Sequence, residues 1–240
     1  MARIQSLPYV MPSPQDEEET VRSNAARPQE RALAGIRPVA HGLHDVLGDS
    51  AWGRLPPAVR ARFGDPVLTV DYFGEFEIVR ASRLGLALAT LCRLLGTPVV
   101  PRTGRNVPAV VHVAPTSKGV AWNREYRWPN CEPCLVRSTK VIENGCLVER
   151  LPARLCMPLR VYAERVSLHF VSRGYYFDCG TLKGRRIRIP LPAWLSPGQM
   201  HVVHHDEADG WFRFTMTVSH PLFGELFYQT GRFRAARRVT

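Results

Sequence analysis

Beyond residue 108 the chain is a succession of short alternating runs divided by turn residues, and this pattern constrains the fold more than any other feature. Val120, Trp122, Arg124, Tyr126 and Trp128 share one face of an extended run. Ala121, Asn123, Glu125 and Arg127 share the other, because successive strand side chains point to opposite sides. Residues 137–151 read as two short strands around Glu143-Asn144-Gly145, and an Asn-Gly pair is a strong hairpin signal. Residues 158–171 and 174–178 give further strands, split at Arg173-Gly174. Ile187, Ile189 and Leu191 alternate with Arg186 and Arg188 until Pro192 ends the run. Residues 200–219 form a hairpin around Asp206-Glu207-Ala208-Asp209-Gly210, and Leu226 to Phe233 a last strand. With no helix among them, these strands predict a mainly β (α+β) fold: a curved antiparallel sheet or lipocalin-like barrel, with one or two N-terminal helices packed on it.

The N-terminal third supplies those helices. Ser50 to Arg60 reads as a turn entering a short helix, with Pro57 in its first turn and Phe63-Gly64 closing it. Residues 66–79 are rich in β-branched and aromatic types and predict a strand or strand pair. Leu84, Leu88, Leu91 and Leu95 recur at helical spacing, so a helix over 80–95 is expected to lay that leucine face on the sheet. Residues 1–35, with the run Asp16-Glu17-Glu18-Glu19, offer no packing face and are expected to be a disordered tail. Residues 50–236 are expected to form a single β-rich domain, and 240 residues of 45% hydrophobic content suffice for one sizeable core.

Charge and cysteine usage narrow the function classes. The chain carries 32 Lys+Arg against 21 Asp+Glu, a net charge of +11, which favours anionic partners. The bases are scattered along the chain, so a nucleic-acid partner is not expected. No secretory leader and no bilayer-length apolar run is visible, so the expectation is a cytoplasmic protein without a membrane partner. No phosphate-loop, dinucleotide, G-x-S-x-G or H-E-x-x-H pattern is present, and no cofactor or metal is expected. Cys131-Glu132-Pro133-Cys134 is half of a zinc knuckle, but Cys146 and Cys156 do not supply a second close pair, and free thiols are the simpler reading.

The candidate chemistry lies in polar residues on apolar strand faces. Arg124 falls between Trp122 and Tyr126, and Glu149 follows Leu147-Val148 and is its candidate partner. Gln229 falls between Phe227 and Gly231. Inside a barrel such groups would orient an apolar ligand; as an ion pair, Arg124 and Glu149 would serve packing and register. Trp122, Tyr126, Gln229 and Tyr176 are the candidate ligand contacts, and Glu149, His220 and Arg124 the candidate catalytic groups. His201 and His205 fall on one strand face and His204 on the other; together they read as the solvated end of a hairpin. His220 precedes Pro221 at a turn, where a ring nitrogen commonly holds the backbone. Gly180 to Arg186 mixes glycine with bases as an anion nest does, yet reads more simply as a basic turn.

Four stretches resemble a known family. They are His220-Pro221-Leu222-Phe223-Gly224 running on to Gly231-Arg232-Phe233, Trp122-Asn123-Arg124-Glu125-Tyr126 with Leu147-Val148-Glu149, and Leu55 to Phe63. Together they resemble the bacterial domain-of-unknown-function family 4166 over about residues 50–236. That resemblance implies relatives fused behind a saccharopine-dehydrogenase-like domain, which this chain lacks, so a separate oxidoreductase partner is one implication. It implies no activity. The leading expectation is therefore a barrel that binds a small apolar or amphipathic molecule. The alternative is a cofactor-free cyclase, isomerase or hydrolase, with Glu149 or His220 as acid/base and Arg124 stabilising negative charge.

Overall fold

A computed structural model describes residues 39–64, 69–93, 99–183 and 185–236, the side chains of 39–42, 92 and 93 excepted. The expected tail, 1–35, lies outside the described residues. Three short helices come first: α1 Val39–Leu47, α2 Asp49–Gly53 and α3 Pro57–Phe63. Then follow strand β1 Val70–Ala81 and helix α4 Arg83–Arg93. Eleven strands complete the chain: β2 Gly104–Thr116, β3 Gly119–Tyr126, β4 Cys134–Glu143, β5 Cys146–Arg150, β6 Leu155–Glu164, β7 Ser167–Ser172, β8 Tyr175–Leu182, β9 Arg185–Leu191, β10 Gln199–Asp206, β11 Trp211–His220 and β12 Gly224–Ala235.

Ten of these strands form a closed antiparallel barrel in the order β5-β4-β3-β2-β1-β12-β11-β10-β7-β6, and β6 returns to pair with β5. Closure satisfies the backbone groups that an open sheet edge would expose. β8 pairs with β6 only at Leu155↔Phe177 and Cys156↔Tyr176, so the β8–β9 hairpin leaves the barrel and forms a flap beside it. The turn between β4 and β5 is the expected one, with Asn144 at φ 51° and Gly145 at φ 75°, the left-handed pair that a two-residue hairpin demands. Among the described residues no helix is long and apolar enough to cross a membrane.

The interior is filled by alternate side chains. Phe76, Tyr126, Phe170, Phe212, Phe214 and Phe233 are all buried, each contributing on the order of 1.5–3 kcal/mol by leaving water. Phe76 stacks on Tyr126 at 4.7 Å between ring centroids. A smaller apolar cluster of Val141, Val148, Cys156 and Tyr176 lies where the β8–β9 flap meets the opposite faces of β4, β5 and β6.

Two expectations about helices need correction. The leucine stripe of α4 does not face the sheet: Leu84 is 44% and Leu91 61% exposed, while Gly85 and Ala89 are buried. Gly85 sits so close to the Leu226 carbonyl that a Cβ there would lie 2.0 Å from its oxygen. Close approach through a small residue has overridden leucine periodicity; Leu95 lies outside the described residues. In addition, α1 begins upstream of Ser50, where the first ordered element was expected, and its Leu43 is buried in the main core.

Candidate functional site

β3 turns Val120, Trp122, Arg124 and Tyr126 inward by simple alternation. Lys140 on β4 and Glu149 on β5 are direct cross-strand partners, and the Lys140 ammonium stands 3.2 Å from Glu149 Oε1. Arg124 approaches the same oxygen from β3, at 3.9 Å. Lys140 Nζ also lies 5.0 Å from the Trp122 ring centroid, a cation–π distance. All three charged side chains are buried.

His204, inward on β10, stands in an aromatic cage. Its ring is edge-on to Phe63 at 4.9 Å and to Phe214 at 5.4 Å, and Phe170, Phe212 and Trp122 complete the surround. Its Nδ1 has no hydrogen-bond partner among the described residues. Phe63 enters the interior from the end of α3 and stacks near Trp122 at 5.7 Å. One residue earlier, the Arg62 guanidinium lies 3.6 Å from the Phe212 ring centroid and 3.7 Å from Asp206 Oδ1. Between these groups lies a cavity of about 40 Å³, lined by Arg124, Lys140, Glu149, His204, Trp122 and the surrounding apolar side chains.

The charge states follow from burial and neighbours. Burial pushes the Glu149 carboxyl up, but Lys140 and Arg124 outweigh it, and the net shift is down, so Glu149 is a carboxylate at neutral pH. Burial lowers Lys140, with Glu149 pulling the other way. His204 is held well below its ordinary 6.5, first by burial and then by the cations Arg62, Lys140 and Arg124, so it is neutral at pH 7. Among the described residues the cavity lining thus holds two cations, Arg124 and Lys140, against one carboxylate, Glu149, with the half-buried Arg62–Asp206 pair outside that lining.

The family model of a domain of unknown function, DUF4166, matches residues 55–233. The chain belongs to the DUF4166 family. The matched span begins just before α3 and includes every residue that lines the cavity. No curated protein and no solved structure matches the chain.

In this DUF4166 barrel Arg124, Glu149 and Trp122 converge on the cavity. Tyr126 and Gln229 also point inward but bond to each other, the Tyr126 hydroxyl donating to Gln229 Oε1 at 3.0 Å, apart from the cavity lining. Burial pushes the Tyr126 hydroxyl up to about 12. His220 is buried at the β11–β12 turn, where its Nδ1 accepts the Leu222 N–H at 3.2 Å and Phe223 stacks on its ring. That is the turn-holding arrangement, and His220 is not among the cavity residues. Tyr176 lies in the small cluster under the β8–β9 flap instead of the barrel interior.

The reading of His204 as part of a solvated hairpin end is overturned, because His204 is 5% exposed and lines the cavity. Its signal was the alternation Met200, Val202, His204, which puts it on the apolar face. His201 and His205 take the opposite face, where His201 Nε2 lies 3.0 Å from His169 Nδ1. Lys140 was also passed over, although counting outward from Asn144-Gly145 places it opposite Glu149.

The state of His204 gives a pH prediction. Below pH 6.5 the unfolded chain takes up a proton at this residue that the folded chain refuses, so stability falls as pH drops from 6.5 toward the depressed folded value. The slope contributed is up to about 1.4 kcal/mol per pH unit. Glu149, whose carboxyl is also held down, adds its loss only at lower pH, below 4.5. Urea midpoints measured between pH 7 and 5 should fall for the parent protein and much less for His204→Phe. Parallel curves for the two proteins would contradict the assignment.

Proposed function

We propose that the barrel binds a small amphipathic molecule, with an anionic end at Arg124 and Lys140 and an apolar body among the interior aromatic rings. The observation that carries this reading is the surplus positive charge on an otherwise aromatic lining. Burying ions costs several kcal/mol each, and an apolar set of equal volume is commonly as stable or more so. A pairing that served packing alone would have no use for the extra cation. The unpartnered His204 Nδ1 offers one more polar contact to the same molecule.

The size of the cavity sets a condition on this reading. At about 40 Å³ the closed interior admits a few waters, whereas sites for drug-sized molecules run to roughly 300–1,000 Å³. A larger occupant must displace Phe63, the aromatic group that α3 inserts. Acid/base work by a carboxyl in a pocket is favoured by a raised pKa. Glu149 is instead held as a carboxylate by its two cations, which suits it to pairing charge and not to donating protons.

Titration calorimetry with decanoate and decanol tests the proposal. Decanoate should bind, and Arg124→Met should weaken it by at least about tenfold while leaving decanol unchanged. Absence of binding by either probe, or an equal loss for both, would overturn it.

A further inference from the structure

The outer wall of the barrel carries a second concavity, whose lining shares no residue with the interior cavity. The β8–β9 flap, the Pro152–Arg154 turn and the faces of β3, β4 and β5 enclose a cleft of about 530 Å³. That volume falls within the usual range for small-molecule sites. Its lining contains four cations, Lys118, Arg137, Arg150 and Arg154, and one carboxylate, Asp178.

Local pairing leaves most of that charge uncompensated. Arg150 donates to Glu143 at 3.0 Å, and Asp178 accepts from Arg186 at 3.0 Å. Glu143 is also engaged by Arg186 at 3.1 Å and by Arg188 at 2.6 Å, so the two carboxylates are shared among three arginines. Lys118, Arg137 and Arg154 have no ion-pair partner among the described residues, and all three are exposed. Three free cations from three separate elements face one concavity: the β2–β3 turn, β4, and the turn after β5. Arg154 is held there in a left-handed backbone, φ 61°, directly after Ala153 at φ 54°. A bulkier residue pays of order 1–3 kcal/mol for such a conformation, so the turn places this guanidinium at a cost to the fold.

We propose that this cleft is a binding site for a phosphorylated small molecule, its phosphate groups held by Arg137, Arg154 and Lys118. Guanidinium forks match phosphate oxygens in pairs, and a mobile lysine adds a point charge. Thr139 and Asn123 supply neutral polar contacts beside them. Among the described residues no aromatic side chain lines the cleft, so they offer no platform on which bases of a nucleic-acid strand would stack. The basic Gly180–Arg186 segment contributes Gly180 to the rim, but its N–H is already donated to Asp178 at 3.1 Å. Gly180 therefore stands at the rim without acting as a backbone nest.

Calorimetric titration of the whole chain with inorganic pyrophosphate at low salt is the experiment. Pyrophosphate should bind at one site per chain, more weakly as salt rises. The double variant Arg137→Ala, Arg154→Ala should lose at least about tenfold in affinity. Arg83→Ala, an exposed base on α4, serves as the control and should leave binding unchanged. Near-native circular dichroism of the double variant separates a lost site from a lost fold. Lack of pyrophosphate binding, equal weakening by the control, or tighter binding of a single-stranded oligonucleotide that survives the double substitution would each overturn the proposal.

Discussion

Glu149→Ala is expected to destabilise the barrel by about 3–5 kcal/mol, the cost of leaving buried charges without their partner. Here two largely buried cations lose the same carboxylate oxygen, Lys140 at 3.2 Å and Arg124 at 3.9 Å. With urea m-values of roughly 1–3 kcal/mol per molar, the unfolding midpoint should move by at least about 1 M. The companion variant Arg124→Met, Lys140→Met, Glu149→Leu removes all three charges together. It should recover most of the loss and also abolish decanoate binding. If Glu149→Ala costs under about 1 kcal/mol, the cluster is wetter than its burial implies.

Phe63→Ala should cost about 3–5 kcal/mol as well, for a different reason. The ring lies within 6 Å, centroid to centroid, of Trp122, Phe170 and His204, and its loss leaves an apolar void next to the existing cavity. A void of that kind binds small apolar molecules, so benzene should raise the melting temperature of the variant and leave the parent unaffected. A small loss of stability with no response to benzene would mean that α3 does not plug the barrel. Success would show that the interior can open into a site where α3 inserts Phe63.

Much of this architecture is legible in the chain because alternation is a local property. The β3 pattern put Arg124 between two inward aromatics, and the Asn144-Gly145 turn set the β4–β5 register. Features that depend on distant contacts were not legible. β6 and β7 are joined by a turn through Arg165 at φ 51°, with no glycine to mark it. α4 packs through Gly85 because the Leu226 carbonyl comes close, and nothing near Gly85 announces that neighbour. The strand carrying Lys140 has Ser138 and Lys140 on its inner face, so hydrophobic alternation points the wrong way there. Phe63 reads only as the end of a helix; its place among Trp122, Phe170 and His204 is fixed by closure of the barrel around it.

The seam between β1 and β12 has a consequence for the order in which the molecule is made. β1 pairs on one side with β2, its neighbour in sequence, and on the other with a strand that ends at Ala235. While the chain is being synthesised, the second edge of β1 waits for nearly every later residue to emerge. Loop-closure entropy makes such distant pairing slow, and an unpaired edge meanwhile invites other chains. Loss of β12 alone would therefore leave not a slightly smaller barrel but two raw margins, on β1 and β11, with nothing between them.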